Sequence, residues 1–131
     1  MDPVKKHLVF LKRHKMITND ILYFSGEYLK SLGYIEDALK NFNLVLENEQ
    51  GHSGALIALS TIYFNSGDTL KAFQIADTLF KYNPNNVASF NRRIGKHLLK
   101  FEIDSVQKYL KLGLDKFPNN EYLWNIKKEF F

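Results

Sequence analysis

The chain has 131 residues and no cysteine, which excludes disulfide bonds and thiolate metal sites. This length fits one domain, and a formal net charge of +4 is compatible with an acidic partner without requiring one. No apolar run approaches the roughly 18–20 residues of a membrane span, and Leu8–Leu11 is too short for a signal-peptide core of about 7–15 residues. We therefore expect no membrane span, and a cytoplasmic protein.

The N-terminal segment has the spacing of an amphipathic helix over about 3–15. Pro3 at its first position loses no needed N–H. Val4, Leu8 and Leu11 form an apolar stripe, and most of the lysines and arginines lie off it. We expect the stripe to pack on the following unit while the charges remain in solvent.

The stretch 53–86 organises the rest of the chain, because its neighbours echo it at a spacing of 34 residues. Gly33 recurs as Gly67, and Asn-Pro-Asn-Asn at 83–86 recurs as Phe-Pro-Asn-Asn at 117–120. A fixed period of this size predicts stacked helix–turn–helix units in one domain. We place the units at about 19–52, 53–86 and 87–120, with flanking helices at 3–15 and 120–131.

Capping residues and glycines predict where these helices begin and end. The cluster at 18–20, then Asp68, and then Asn85 or Asn86 can cap the following helices, and Gly33 and Gly67 suit left-handed helix ends. Asp104 followed by Gln107 is typical of a capping box. Besides the N-terminal helix, the predicted helices cover about 20–32, 35–48, 54–66, 69–82, 87–100, 104–116 and 120–131.

This pattern resembles the tetratricopeptide repeat, a 34-residue helix–turn–helix. The middle unit has Leu56 where the family prefers tryptophan, and its other signature positions hold Leu59, Ser60, Tyr63, Gly67, Ala72, Ala76, Leu79 and Pro84. The first unit matches at Leu22, Gly26, Leu29, Gly33, Ala38, Phe42 and Val45, and the third at Phe90, Val106, Leu110, Gly113 and Pro118. The resemblance implies an all-α fold, a right-handed α-α superhelix (TPR-like solenoid) of about three repeats plus flanking helices.

The third unit departs from the family pattern at Arg93, His97 and Phe101, so its first helix is expected to be rotated or lengthened. Trp124 stands where the family's tryptophan would open a fourth unit. The segment 118–131 also resembles the half-repeat (HAT) of some RNA-processing scaffolds.

In proteins of this family the first helix of each unit lines a concave groove that takes an extended peptide or a partner helix. The predicted lining, inferred by phase, comprises Tyr23, Phe24, Glu27, Ile57, Thr61, Phe64, Asn65, Asn91, Arg92 and Lys96, with Asp20, Lys30, Ala58 and Lys100 beside them. One end is aromatic and the other basic, and tyrosine, phenylalanine and arginine tend to anchor interfaces. The alternative is that the aromatic residues pack between units and Arg92 is solvated surface.

Some family members clamp an acidic C-terminal carboxylate with lysine, asparagine and arginine residues. Here Tyr23 and Glu27 occupy the first-unit positions of that clamp, and only Arg92 and, loosely, Asn65 match it. We therefore expect a protein–protein interaction module, an adaptor or scaffold for a peptide or helix, but not a chaperone adaptor of the clamp type.

The alternative function is a nucleic-acid-associated scaffold that uses the basic N-terminal helix with Arg92, Arg93 and Lys96, since phosphate contacts need clustered cations. His7 and His14 share a helix face but have no acidic neighbour there, and nothing clusters with His52 or His97. The chain also has no glycine-rich phosphate loop and no serine elbow, so we predict no enzyme, cofactor or metal.

The last helix carries large apolar residues, although the end of a solenoid needs a polar outer face. These residues are Trp124, Phe130 and Phe131. Either they fold back on the third unit, or they are covered by a second copy through the terminal helices, by another protein, or by more chain.

Overall fold

A computed structural model describes residues 2–13 and 17–131, with the backbone alone at 11–13. Over these ranges the chain forms eight helices and no strand, so the all-α class is confirmed. The helices are α1 (Pro3–Arg13), α2 (Asn19–Ser31), α3 (Ile35–Asn48), α4 (Ser53–Asn65), α5 (Thr69–Tyr82), α6 (Val87–Leu99), α7 (Ile103–Lys116) and α8 (Glu121–Phe130). The predicted end of the first helix, 14–15, lies outside the described residues.

The helix boundaries repeat at a fixed spacing. Helices α2, α4, α6 and α8 begin at 19, 53, 87 and 121, and α3, α5 and α7 begin at 35, 69 and 103. Thr18, His52, Asn86 and Asn120 are 34 residues apart, and each side chain accepts a hydrogen bond from a backbone N–H in the following turn. The period seen in the sequence is therefore also a period of the backbone.

The turns inside each pair of helices share one left-handed conformation. Gly33 and Gly67 have φ of +86° and +87°, as predicted, and Phe101 takes the same place with φ of +57°. Helix α6 has 13 residues, like α2 and α4, so the expected lengthening of this helix was wrong. The reason is that the N–H groups of Phe101 and Glu102 close the helix end on α6 carbonyl groups, as the equivalent N–H groups do after α2 and α4.

The capping box predicted at Asp104 was also wrong. Helix α7 begins at Ile103, after Glu102, whose side chain makes no capping hydrogen bond. Asp104 is therefore the second residue of the helix. There its carboxylate lies near the positive end of the helix dipole instead of capping it.

From α2 to α8 each helix packs on its neighbours in the chain, so the core runs through these seven helices. One buried cluster joins α2, α3 and α4 around Leu29, Phe42 and Leu59, and a second joins α6, α7 and α8 around Ile94 and Leu123. Burying one such leucine or phenylalanine stabilises the fold by about 1.5–3 kcal/mol. No helix in the described ranges is long and apolar enough to cross a bilayer.

Candidate binding groove between α4 and α6

A groove of about 510 Å³ opens between α4 and α6, and we call it the α4–α6 groove. Helix α5 and one tyrosine of α8 complete its walls. Its lining residues are Ser60, Thr61, Phe64, Asn65, Ala72, Phe73, Ala76, Asn91, Arg92, Gly95, Lys96, Leu98, Leu99 and Tyr122. Six of the ten residues predicted for a partner groove thus lie together: Thr61, Phe64, Asn65, Asn91, Arg92 and Lys96.

Arg92 is a partly buried cation of this groove, and two hydroxyl groups orient it. Its Nε donates a hydrogen bond to Ser60 Oγ at 2.6 Å, and its Nη2 donates one to Thr61 Oγ1 at 2.8 Å. Both hydroxyl groups donate in turn to the carbonyl oxygen of Ile57. Burial lowers the pKa of Arg92 from its ordinary value, and burial raises the pKa of the neighbouring Tyr122.

No carboxylate among the described residues forms an ion pair with Arg92. Its partners are neutral hydroxyl groups, and its Nη1 makes no hydrogen bond within the described region. An arginine remains charged in proteins, and Nη1 of this partly buried side chain stays accessible from the solvent side. An anionic group placed in the groove would therefore gain a charge-assisted hydrogen bond that the chain itself leaves unmade.

The other arginine and the lysine of α6 are already paired. Lys96 Nζ lies 2.8 Å and 3.0 Å from the two carboxylate oxygens of Asp77. Arg93 does not line the groove: its guanidinium lies 4.6 Å from the ring centre of Phe80 and 4.8 Å from that of Tyr109, and its Nη1 is 3.5 Å from Asp77. Arg92, Arg93 and Lys96, which the nucleic-acid alternative uses together, thus do not form one cluster: Arg92 and Lys96 line the groove and Arg93 does not.

Aromatic and aliphatic side chains form the apolar part of the groove. Phe64 is half-exposed at 49%, and Leu99 is similarly open at 53%. Asn65 is exposed at the rim, whereas Asn91 Oδ1 accepts a hydrogen bond of 2.8 Å from the side-chain amide of Asn120. Asn91 therefore joins α6 to the start of α8, and Asn65 is the better placed of the two to meet a ligand.

The remaining four predicted residues do not line this groove. The ring of Tyr23 packs 4.9 Å from His52 and 6.0 Å from Phe42 of its own unit. It also lies against Gly54 of the second unit, where an added methyl group would come within 2.6 Å of the ring, so it packs between units, as the alternative interpretation expected. Phe24 is exposed at 66%, so it does not pack between units. Glu27 forms an ion pair with Lys30 at 3.3 Å, and Ile57, on α4, is half-buried.

The prediction from helical spacing along the sequence missed part of the groove lining. Phe73, Leu98 and Tyr122 come from α5, from another face of α6 and from α8. The prediction considered only one face of the first helix of each unit. It therefore could not include α5, the second helix of its unit, which forms part of the groove wall. A usable signal was the size of Phe73 among the small residues Ala72 and Ala76.

The N-terminal helix is tied to α3 by one of its lysines. Lys5 Nζ lies 2.6 Å from Asp37 Oδ2 and 4.3 Å from the ring centre of Tyr34. The hydrogen bond between them raises the pKa of Lys5 and lowers the pKa of Asp37. The side chains at 11–15, including four basic residues predicted for nucleic acid, lie outside the described residues.

The histidines occupy three different environments. His7 is exposed on α1, and His14 lies outside the described residues. His52 Nδ1 caps α4 by accepting the N–H of Ala55 at 3.0 Å. His97 is buried and stacks on Tyr109 at 5.4 Å, with Glu102 3.4 Å from its Nδ1, so the expectation that nothing clusters with it was wrong. In the described part of the chain no three acidic or histidine side chains form a group that could hold a metal ion.

The aromatic residues of α8 are half-exposed. Trp124, Phe130 and Phe131 are exposed at 46%, 57% and 47%. The indole N–H of Trp124 donates to the carbonyl oxygen of Pro118 at 2.6 Å, so part of the ring folds back on the preceding turn. Self-association through this helix stays a prediction.

Comparison with models of known protein families found no match, and a search of curated proteins found no significant similarity.

Proposed function

We propose that this chain is a tetratricopeptide-type solenoid, a right-handed superhelix of about three repeats, that serves as an adaptor or scaffold by binding another protein. The 34-residue period supports this family, because it recurs in the helix starts, the N-terminal caps and the left-handed turns. Gly26, Ala38, Ser60 and Ala72 support it as well, since they match signature positions of the family and are buried, and such small residues let two helices approach closely.

The observation that carries the proposed function is the unpaired guanidinium of Arg92 beside an apolar wall. Two hydroxyl groups hold Arg92 in place, and no carboxylate of the described region neutralises it. Phe64 and Leu99 expose apolar surface in the same groove. An extended peptide or a helix with an acidic residue next to an apolar residue would satisfy both features.

The size of the groove is suited to part of a polypeptide. About 510 Å³ lies within the roughly 300–1,000 Å³ typical of ligand pockets, which holds a few side chains. The titratable side chains in its wall are Arg92, Lys96 and Tyr122, and Lys96 is already paired with Asp77. We therefore propose recognition without catalysis.

The proposal is tested by capture of a partner from source lysate on immobilised protein, followed by titration of the purified partner. We expect Phe64→Ala and Arg92→Gln each to weaken binding by about tenfold or more, as anchor residues do. The matched control is Leu70→Ala with Lys81→Gln, since these exposed residues of α5 are also apolar and basic but do not line the groove. Circular dichroism is the check that each variant remains folded.

Retention of the partner by both groove variants would contradict the proposal. Binding of nucleic acid that falls steeply with salt, and that is unchanged by Phe64→Ala, would favour the alternative function instead.

A further inference from the structure

Helix α8 presents one stripe of aromatic and basic side chains that no other described helix covers. Trp124, Lys127 and Lys128 stand at i, i+3 and i+4 on one side of the helix. Phe131, the C-terminal cap, follows at i+7, and its N–H bonds the carbonyl oxygen of Lys127, so it continues this stripe. All four are exposed. We call this stripe the α8 face.

The equivalent stripe of the earlier helices is covered by the helix that follows. In α6, 34 residues earlier, Arg93 and His97 contact the ring of Tyr109 on α7. In α2, Gly26 lies under Phe42 of α3, so closely that an added methyl group would come within 2.8 Å of the ring. The fold therefore uses this stripe, repeat after repeat, to receive another helix.

Arg93 shows how a cation on this stripe is accommodated. It lies between the rings of Phe80 and Tyr109, and Asp77 is its carboxylate partner. Lys127 is the residue 34 positions after Arg93, but the positions equivalent to Asp77 and Phe80 hold Lys111 and Leu114.

Lys127 has no carboxylate partner in the described part of the chain, and its ammonium group lies 5.1 Å from the ring centre of Trp124. Both the acid and the second ring are therefore missing from the α8 face. A molecule that completed the face would have to supply an aromatic or aliphatic surface together with negative charge.

We propose that the α8 face docks an acidic amphipathic helix of a partner protein, in the place that α3, α5 and α7 take in the preceding units. The apolar side of that helix packs on Trp124 and Phe131, and its carboxylates pair with Lys127 and Lys128. A second copy is a poorer occupant, because an α8–α8 contact brings these lysines against themselves. Helix α1 of another copy offers Lys5 and Lys6 and has no acidic residue in its first turn.

Trp124 makes the proposal directly measurable, because it is the single tryptophan of the chain. The probe is a synthetic peptide of residues 102–117, held helical by an i,i+4 side-chain link on its solvent side, with Lys108→Glu and Lys111→Glu. The comparison peptide keeps both lysines. Neither contains tryptophan, so tryptophan emission reports only the α8 face of the full chain.

We expect the acidic peptide to shift the Trp124 emission to shorter wavelength in a saturable way. The comparison peptide, in which three acidic and three basic side chains balance, should bind about tenfold more weakly at low salt. Lys127→Glu with Lys128→Glu should reverse this order. Lys71→Glu with Lys81→Glu changes the net charge equally on α5 and should leave the order unchanged. If circular dichroism shows that the charge-reversed protein is not folded, Lys127→Gln with Lys128→Gln is used instead. This variant should bind the two peptides equally.

Three results would overturn the proposal. The first is equal binding of the two peptides, or no spectral change with either. The second is a mass that rises with protein concentration in sedimentation equilibrium without peptide, which would make a second copy the occupant. The third is loss of peptide binding on Arg92→Gln, which would locate the peptide in the α4–α6 groove.

Discussion

Nε of Arg92 donates a hydrogen bond to Oγ of Ser60 at 2.6 Å, and this bond joins the first helix of the third unit to the first helix of the second. Ser60 is buried, and its small size also allows α4 and α5 to approach each other. One residue thus serves the packing of its own unit and the orientation of a cation on the next. The groove wall and the repeat packing are therefore coupled.

This bond predicts energetic coupling between Ser60 and Arg92. We expect Ser60→Ala to lower the free energy of unfolding by about 1 kcal/mol, because a half-buried charged donor loses an acceptor. In a double-mutant cycle with Arg92→Leu, urea denaturation should give a coupling of about 1 kcal/mol. Ser66→Ala is the control, since that hydroxyl group bonds only the local carbonyl oxygen of Tyr63. Strict additivity would show that the bond contributes nothing to stability.

The left-handed turn at Phe101 predicts opposite effects at two equivalent positions. Phe101 has φ of +57° and is 84% exposed, so Phe101→Gly removes strain of about 1–2 kcal/mol and little burial. After the cost of glycine flexibility, the free energy of unfolding should rise by about 0.5–1 kcal/mol. Gly67→Ala, 34 residues earlier, should lower it by about 1 kcal/mol. Thermal and urea denaturation measure both, and effects of the same sign would contradict the shared turn geometry.

The contact between α7 and α8 depends on the absence of a side chain at Gly113. A methyl group there would lie 2.7 Å from Leu123 Cδ1 and 3.2 Å from Phe90 Cδ1. Overpacking costs about 1–3 kcal/mol, and better helix propensity returns about 1 kcal/mol, so Gly113→Ala should destabilise by about 1 kcal/mol. The exposed position Gln107 on the same helix is the control, where alanine should change stability by less than about 0.5 kcal/mol. A stabilised Gly113→Ala protein would mean that α8 packs less closely than the structure shows.

Burial of His97 predicts that stability falls in mild acid. Burial is the main cause that lowers the pKa of His97, and the neighbouring Lys96 and Arg93 act in the same direction, while Glu102 opposes them. A histidine with a lowered pKa binds fewer protons folded than unfolded, so stability is fully present above the unfolded pKa. Part of it is lost as the pH falls from about 6.5 towards the folded pKa.

The measurement is urea denaturation of wild type and His97→Gln at about pH 7.5 and about pH 5.5. The loss of stability on acidification should be smaller for the variant, because glutamine does not titrate. Equal losses in the two proteins would show that His97 is protonated without cost in the folded state.

The helices themselves were largely predictable, because their signals are local. The predicted bounds of α3 and α5 agree with the structure, and Gly33 and Gly67 end their helices in the expected left-handed conformation. The errors at Phe101 and Asp104 share one cause. Backbone hydrogen bonds and packing keep α6 and α7 at the repeat spacing although the side chains at these two positions are unfavourable for it. Local propensity does not include these tertiary contributions.

The candidate site was predictable only in part. Phase placed Thr61, Phe64 and Arg92 near one another, and the structure brings them into one groove. It could not indicate that Tyr23 turns inward against His52, or that Asp77 neutralises Lys96. Those outcomes depend on the side-chain directions of helices that are neighbours only after folding.

Local chemistry along the chain thus specifies where helices begin, where they end and how often the pattern repeats, since caps, glycines and apolar spacing act within a few residues. Tertiary packing alone decides which charges are neutralised. Arg92 meets Ser60 across 32 positions, while Arg93, its direct neighbour, meets Asp77 and Tyr109. Two adjacent arginines reach different environments because successive helix residues point about 100° apart, and only the packed neighbours determine what each one finds.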